Sequence, residues 1–348
     1  MPKIYFAGLN ASKLLSQNLS EDNLSLTVFD QFTPVSCNRI TDFEIGWDYV
    51  LIWEDEKVYI SNVRSRRKAG NNERALIQVP TNKTQRIFQA IPGPETVIFL
   101  TETRDIWVYN FLKDVWKEVS NFIPDKNRSE GEQISKIAGG RCTVALTNFG
   151  HVFHIPVFQN NTSSVKFIDV ACGFDHNLLL AANGEVYSSG TGTRGQLGHG
   201  DLEDCDEPKL IEAIAGLKVV QISAAGWHSA VVTDQGDLYT WGWNNQGQIG
   251  HPNIQNVVAV PTIVDFIDSN QKTVELSICQ VQCGNSFTIC QTSVGDLWGV
   301  GSNKYGQLGQ PRSSIESSKH FFKLSLPSIK KPISRFKCRE WGTCIYTE

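Results

Sequence analysis

Methionine and surplus charge are both scarce in this sequence. Only one of the 348 residues is Met, so methionine has little part in any core. The 32 Lys and Arg residues are nearly balanced by 36 Asp and Glu residues, which excludes a strongly basic protein that coats nucleic acid. Hydrophobic residues make up 41% of the chain and 28 residues are Gly, which predicts a folded, turn-rich protein.

Long apolar runs are also missing. A transmembrane helix needs about 18 consecutive apolar residues, and no such stretch occurs, so we expect a soluble protein that binds no membrane. The apolar run at 4–9 is too short for a signal peptide, so secretion is not expected. Nine cysteines are an odd number in a chain large enough to fold without disulfides, which favours reduced thiols. We therefore expect the protein in the nucleus and cytoplasm.

Familiar catalytic motifs are absent as well. The sequence has no G-x-S-x-G, no H-E-x-x-H and no P-loop. Residues 190–195 match G-x-G-x-x-G, but 242–247 and 301–306 occupy the same place in a repeat, which predicts a structural corner. The cysteines at 279–290 lack the spacing of zinc ligands. We predict no catalytic residue, no cofactor and no metal site. Carboxylates brought together from separate repeats remain open at this point.

The sequence does contain a clear internal repeat. Segments 168–200, 220–252 and 279–311 each begin with a β-rich run, followed by a turn such as Asn183-Gly184 and a strand of alternating polarity. Each then ends in a Gly-Gln-Leu/Ile-Gly corner, where Gly supplies a positive φ. Each unit is therefore predicted to be a meander of strands.

Weaker units complete the pattern. Divergent copies lie at about 43–63, 87–116 and 134–158, and a seventh unit is divided between 3–10 and 336–347. Seven units in 348 residues give a period of about 50. Such a period, with one unit shared by the two ends, predicts an all-β, seven-bladed propeller formed by a single domain.

The position of His176 marks the phase of the repeat. Its equivalents are Tyr49, Glu95, Cys142, His228, Phe287 and Gly342. Because apolar residues replace histidine in other copies, we predict that His176 packs in the core, with its imidazole hydrogen-bonded within its own blade.

The three clear copies resemble the repeat of the regulator of chromosome condensation family. The resemblance is carried by Trp227-His228-Ser229, by Trp241-Gly242-Trp243-Asn244 and by the glycines of the corners, Gly195, Gly198, Gly247, Gly250, Gly306 and Gly309. It implies a seven-bladed β-propeller in which these glycines are structural. Short animal members of the family are associated with a jumonji-type histone demethylase and with methylation of histone H3. The resemblance therefore implies a non-enzymatic, chromatin-linked adaptor.

A second function is implied by the founding member of the family. That protein is a nucleotide exchange factor for the small GTPase Ran and binds nucleosomes, partly through a basic tail. The present sequence starts at the first blade without such a tail, so exchange on a small GTPase is the alternative. We expect a monomer with a protein partner, including a jumonji-domain oxygenase and histones. Direct contact with DNA is left open.

Clusters of charge provide candidate contact residues. Residues 317–339 hold seven Lys or Arg and no acid, 64–68 hold four basic residues, and 201–207 hold five acids. When the repeats are aligned, all three segments lie at or just after a corner, so we predict that they lie near one rim of the ring. The acidic segment would then be about 100° around the ring from the basic one. Such a rim would orient a partner, whereas ordinary solvated loops are the alternative. The arginine-rich segment also suits a nuclear localisation signal or a phosphate contact. The candidates are Arg64, Arg66, Arg67, Lys68, Lys330 and Lys331.

Tryptophans near strand ends are the other candidates. We predict Trp241 and Trp298 in the core, as wedges between sheets. Trp227 and Trp243 stand next to His228 and Asn244 at strand ends, where loops reach a face of the ring. These four residues are predicted to contact a partner, and packing within the blade is the alternative.

Overall fold

The computed structural model describes residues 3–9, 28–35, 40–47, 49–62, 75–80, 85–119, 130–140, 143–155, 165–252, 256–268, 270 and 272–348. Within these residues the chain is almost entirely β-structure, arranged as seven antiparallel sheets of three or four strands with one extra hairpin. No helix among the described residues combines the length and apolar character needed to cross a bilayer.

Each sheet is one blade, and the blades follow one another along the chain. Strands β1 (Ile4–Leu9) and β2 (Val28–Val35) belong to the last blade. Blade 1 contains β3 (Ile40–Ile45), β4 (Tyr49–Glu54), β5 (Lys57–Asn62) and β6 (Ala75–Ile77). Blade 2 contains β7 (Ile87–Pro92), β8 (Thr96–Thr101), β9 (Ile106–Asn110) and β10 (Val115–Val119). The described strands of blade 3 are β11 (Ile134–Gly139), β12 (Thr143–Thr147) and β13 (Val152–Ile155).

The remaining blades include the three clear repeats. Blade 4 contains β14 (Phe167–Cys172), β15 (His176–Ala181), β16 (Val186–Gly190) and β17 (Cys205–Leu210), followed by a short 3-10 helix, Glu212–Ile214. Blade 5 contains β18 (Val219–Ala225), β19 (His228–Thr233), β20 (Leu238–Trp243) and β21 (Val257–Ile263). The extra hairpin, β22 (Phe266–Ile267) and β23 (Thr273–Val274), precedes blade 6. Blade 6 contains β24 (Ile278–Gly284), β25 (Phe287–Thr292), β26 (Leu297–Ser302) and β27 (Ser317–Lys323). Blade 7 adds β28 (Ile333–Arg339) and β29 (Gly342–Thr347).

Blade 7 closes the ring, as the repeat analysis predicts. Its strand order is β2-β1-β29-β28, and β1 pairs with β29 from Ile4↔Tyr346 to Gly8↔Gly342. The repeat phase is correct for the blades in which it can be compared, with one exception. In blade 2 the equivalent of His176 is Thr96 and not Glu95, because Gly93 donates its N–H to the carbonyl of Thr96, as Gly173 does to His176.

The first strand of every blade lies nearest the axis, where it packs against the first strands of neighbouring blades. Each first strand carries a β-bulge that leaves one residue unpaired, as Ile168 is in β14. The polar residue after the bulge reaches the next blade: Gln89 exchanges two hydrogen bonds with the backbone of Ile137, and Gln221 accepts from the N–H of Val281. The bulges therefore tie the inner strands into a ring. The unpaired residues are Thr41, Phe88, Ser135, Ile168, Val220, Cys279 and Ser334.

The core lies between blades and is centred on the second strands. Every residue of β15, β19, β25 and β29 is buried. The buried hydroxyl of Thr288 donates to the carbonyl of Gln248 in the preceding blade at 2.7 Å, and Thr343 donates to Gln307 in the same way. Neighbouring blades are thus joined by hydrogen bonds as well as by apolar packing.

The corners require glycine because they press against the next blade. Gly247 has a φ of 83°, and a Cβ there would lie 2.4 Å from the carbonyl oxygen of Ser318 in blade 6. The second glycine of the same corner, Gly250, would meet the ring of Phe321 at 2.5 Å. A Cβ on the corresponding glycines of blades 4 and 6 would also lie less than 3 Å from atoms of the following blade.

The propeller has two distinct faces. We call one the corner face; it carries the turns between first and second strands, such as 173–175 and 340–341, and the corner loops between third and fourth strands. We call the other the hairpin face; it carries the turns between second and third strands, such as 182–185 and 293–296. A strand that begins on one face ends on the other.

Candidate interaction surface

Aromatic side chains gather on the corner face. Turns between first and second strands carry Trp47, Phe174, Trp227 and Trp341, and Trp243 and Tyr305 lie at or near the corner loops. All six are at least partly exposed. Trp47 is the most open, with 57% of its surface accessible. The turns place these rings there because the backbone reverses at each of them and leaves the side chains outside the interblade core.

One group, the Arg194 cluster, lies over the groove between blades 4 and 5. It consists of Phe174, Asp175, Arg194, Trp227 and Trp243. The guanidinium carbon of Arg194 lies 4.3 Å from the ring centroid of Trp227 and 5.0 Å from that of Trp243. The indole Nε1 of Trp227 donates to Asp175 Oδ2 at 3.1 Å, and the Phe174 ring meets Trp227 edge-on at 5.0 Å. The cluster therefore holds a cation between two aromatic rings.

A second group, the Trp341 cluster, spans blades 6, 7 and 1. The Trp341 ring packs edge-on against Trp47 at 6.2 Å and against Tyr305 at 5.4 Å. Lys304 Nζ lies 5.7 Å from the ring centroid of Tyr305, and Glu340 accepts a 2.6 Å hydrogen bond from Asn285. The two clusters share a repeat geometry, because Arg194 and Tyr305 occupy the same corner position and each contacts a Trp in the following blade.

The sequence analysis found part of this surface. Trp227 and Trp243 lie where it predicts, near strand ends on one face, and Trp241 and Trp298 are buried as predicted. It missed Trp47, Phe174, Tyr305 and Trp341. A usable signal existed for Trp341, since this residue directly precedes the phase marker Gly342, as Trp227 precedes His228.

The two histidines of the repeat lie in the interior. His176 Nε2 is 2.9 Å from Ser229 Oγ, and His228 Nε2 is 2.9 Å from Thr288 Oγ1. Each hydroxyl donates its single hydrogen to the backbone carbonyl of a Gln, so each imidazole donates to the hydroxyl through Nε2–H. Burial lowers the pKa of both histidines to about 3. Two expectations are corrected: the hydrogen-bond partner lies in the next blade, and His228, with no accessible surface, is not a partner contact.

Asn244 is also corrected from a partner contact to an internal one. Its side chain is buried and holds the corner loop of blade 5. Asn244 Nδ2 donates to the carbonyl of His251, and its Oδ1 accepts from the N–H of Ile249. Asn303 occupies the same position in blade 6, where its Oδ1 accepts from the N–H of Leu308.

The charged segments do not share one rim. The acidic segment 201–207 is on the corner face beside β17 and is largely exposed. The basic segment begins on that face, but Lys330 and Lys331 are on the hairpin face, because β27 carries the chain across the blade. Lys331 Nζ donates there to the carbonyl of Glu348 at 2.5 Å. Arg64, Arg66, Arg67 and Lys68 lie outside the described residues.

Two further basic residues of this segment, Lys337 and Arg339, are engaged inside the ring. Lys337 Nζ lies 2.9 Å from Asp42 Oδ1 and 2.8 Å from Glu44 Oε1 in blade 1, and Tyr346 donates its hydroxyl to Asp42 at 2.6 Å. Burial alone would raise the pKa of Asp42, but Lys337 and the Tyr346 hydrogen bond outweigh it and hold that pKa below its usual value. Arg339 reaches backbone carbonyls of Pro92 and Gly139, in blades 2 and 3.

Groups that would hold a metal do not converge in the described part of the chain, where no three His, Cys, Asp or Glu side chains form a suitable set. The seven cysteines there are all free of disulfides. Burial raises the pKa of Cys283 to about 12, so its thiol is held as a neutral core group.

Known proteins resemble this chain both in its repeats and over nearly its full length. The model of the regulator of chromosome condensation (RCC1) repeat matches residues 183–232 and 235–291. Mouse RCC1 domain-containing protein 1 is 30% identical over 373 residues, covering 95% of this chain and 93% of that protein. The human E3 ubiquitin-protein ligase HERC2 is 37% identical over 255 residues, covering 70% of this chain, but the chain spans only 4% of the ligase.

A solved structure shows the same fold. Prp20p from Saccharomyces cerevisiae, whose structure is described with its binding properties to Gsp1p and histones, superposes with a TM-score of 0.77 at 15% identity. The superposition covers 99% of this chain and 91% of the yeast chain. Together with the full-length match to the mouse protein, the repeat matches and the closed seven-bladed ring, this shows that the chain belongs to the regulator of chromosome condensation (RCC1) repeat family.

Proposed function

We propose that this propeller is a non-enzymatic interaction scaffold that binds a protein partner through its corner face. The observation that carries the proposal is the pair of aromatic clusters exposed on that face. Trp, Tyr and Arg dominate the binding energy of protein interfaces, and both clusters are built from them. The rings are held by a closed ring of sheets, so little conformational entropy is lost when a partner binds.

The partner proposed is a jumonji-type histone-modifying enzyme, with the scaffold acting as a chromatin-linked adaptor that influences methylation of histone H3. Support comes from the family resemblance and from full-length similarity to RCC1 domain-containing protein 1. Family propellers bind proteins, since yeast RCC1 has been crystallised with Kap60 and Prp20p is described with histones. The adaptor would act in the nucleus and cytoplasm. No ligase activity is proposed, because the HERC2 match covers only 4% of that enzyme.

Nucleotide exchange on a small GTPase is the second candidate. It is favoured by one observation, the description of Prp20p with its binding properties to Gsp1p. An exchange factor binds its GTPase most tightly when the nucleotide is absent, and added GTP releases it. An adaptor is indifferent to guanine nucleotide.

The test is affinity purification of the tagged chain from cells, with nucleotide either stripped or supplied as excess GTP, followed by quantitative mass spectrometry. We expect a jumonji-type enzyme or histones to be recovered equally in both conditions. A small GTPase recovered only without nucleotide would instead establish exchange, and recovery of no reproducible partner would refute the scaffold.

Variants of the same chain locate the binding face. Trp227→Ala and Trp341→Ala should each reduce partner recovery about tenfold or more, as expected for interface hot spots. Phe88→Ala is the matched control, because Phe88 is a 56% exposed aromatic residue on the hairpin face. Thermal melting checks that each variant remains folded. If Phe88→Ala reduces recovery and the two Trp variants do not, the corner face is not the binding face.

A further inference from the structure

We infer that Arg194 is a carboxylate receptor, which binds an Asp or Glu side chain of a partner segment whose neighbouring residues are basic. The inference rests on the proposed scaffold function and names the chemistry of what the corner face binds. Its evidence lies in the orientation of Arg194, in the absence of an ion pair and in the charges around it.

The orientation of Arg194 is fixed from several sides. Its guanidinium lies against the rings of Trp227 and Trp243, and its backbone N–H donates to Gln196 Oε1 at 2.8 Å. Trp227 is in turn held by the hydrogen bond from its indole to Asp175. A guanidinium whose face is covered by indole rings can form hydrogen bonds only in its own plane. The arrangement favours a planar, two-oxygen acceptor, which is what a carboxylate supplies.

The guanidinium of Arg194 forms no hydrogen bond with any described residue. No carboxylate among the described residues forms an ion pair with it. Its Nε is buried and has no hydrogen-bond partner there. By contrast, Lys337 is neutralised by Asp42 and Glu44. An incoming carboxylate would therefore gain charge-assisted hydrogen bonds without displacing an existing ion pair.

The neighbourhood of Arg194 determines the rest of the ligand. The acidic segment 201–207 begins a few residues further along the same corner, and Asp204 Oδ1 accepts from the N–H of Gly192 at 2.9 Å. Its five acids are exposed and form no ion pair with any described residue. They would repel a uniformly acidic peptide and even more a phosphorylated one. A segment with one carboxylate for Arg194 and Lys or Arg side chains for 201–207 matches both charges.

The first experiment uses the full chain and the partner recovered from cells. Arg194→Gln removes the charge and should weaken partner binding about tenfold or more. Arg194→Lys keeps the charge but loses the planar guanidinium, so its affinity should lie between those of Arg194→Gln and wild type. Arg104→Gln is the matched control, because Arg104 also covers an aromatic ring, that of Phe88 at 4.6 Å, but on the hairpin face. Affinities are measured by titration calorimetry, and melting temperatures confirm folding.

The second experiment tests the carboxylate directly. The contact segment of the partner is mapped by cross-linking, and the acid nearest Arg194 is changed to its amide in a synthetic peptide; a phosphoserine peptide is compared with both. The acid peptide should bind the wild-type chain about tenfold more tightly than the amide, with no difference in Arg194→Gln, and tightest binding of the phosphoserine peptide would overturn the carboxylate assignment. Equal binding of acid and amide would also overturn it.

The two proposals fail in different ways. If the wild-type chain captures no partner, the scaffold proposal and this inference fall together. If the partner is captured but binds Arg194→Gln as tightly as wild type, the scaffold stands and the inference is wrong.

Discussion

Two buried histidines show how single residues join the blades of this propeller. His176 and His228 donate hydrogen bonds through Nε2 to hydroxyls of the following blade. Each hydroxyl in turn donates a hydrogen bond to the backbone carbonyl of a Gln, and we call this pair of hydrogen bonds the histidine relay. Protonation would place a charge in the core and is strongly opposed by burial.

The histidine relay predicts a loss of stability in mild acid. The pKa of each imidazole is about 3 in the folded chain and about 6.5 when unfolded, so between these values the unfolded state binds more protons. The contribution is complete above pH 6.5 and declines by about 1.4 kcal/mol per pH unit for each histidine as the pH falls towards 3. Urea unfolding at pH 7 and pH 5 measures this decline.

A variant taken from the repeat itself provides the control. Blade 6 has Phe287 at the position of His228, so His228→Phe should fit and reduce the pH dependence by about one histidine's share. Equal slopes for wild type and His228→Phe would contradict the relay as the source.

The burial of His176 was predicted from sequence, whereas His228 was assigned to a partner contact and the hydrogen-bond partners of both histidines were missed. Replacement of His by Phe at equivalent positions indicated an apolar site. The hydrogen bond from His176 reaches a residue 53 positions later, in another blade, and no local pattern records such a pairing. The same reason explains why Tyr305 was missed, since its exposure depends on how a corner loop lies on the next blade.

At the scale of elements, the corner loops all make their contacts in one direction around the ring, each with the blade that follows it. The corner of each clear repeat packs on the outer part of the next blade, and its two glycines mark where the backbones come closest. The sequence predicts these glycines because the motif recurs three times. What it does not reveal is whether a glycine is needed for its dihedral angle or for close approach.

A pair of glycines separates these two requirements. Gly247 and Gly295 both have a positive φ, 83° and 93°, but only Gly247 faces the backbone of a neighbouring blade. Gly295→Ala should cost only the conformational penalty, about 1 kcal/mol. Gly247→Ala should cost about 2 kcal/mol more, because Ser318 and Lys319 must move. The free energy of unfolding measures both, and equal losses would show that packing at the corner is unimportant.

At the scale of the whole molecule, the seam between blades 7 and 1 depends on charge. Lys337 of β28 lies between Asp42 and Glu44 of β3, and Arg335 adds a 3.4 Å contact to Asp42. The charges of these groups compensate one another, which is why a run of basic residues is tolerated in an inner strand. The sequence analysis assigned this run to a rim, because repeat phase does not show that a strand carries the chain from one face to the other.

Removing the cation from this seam should lower the free energy of unfolding more than removing an exposed ion pair does. Lys337→Met leaves two carboxylates without their cation and should cost about 2 kcal/mol, less than for a fully buried pair because about a quarter of the site is open to solvent. Lys323→Met removes the exposed contact with Asp296 and should cost less than about 1 kcal/mol. Chemical denaturation measures both. If Glu44→Gln combined with Lys337→Met is no more stable than Lys337→Met alone, the pairing argument is wrong.

The shared blade also imposes an order on biosynthesis. Strand β1 leaves the ribosome more than 300 residues ahead of its partner β29, which begins at Gly342. At about 5–20 residues per second, β1 has to wait roughly 20–70 s for that partner. During that interval an apolar strand has one edge unpaired, which is the kind of surface that chaperones cover and that aggregates. Strand β1 can pair early with β2 on one edge, but its other edge gains a partner only when β29 has been made.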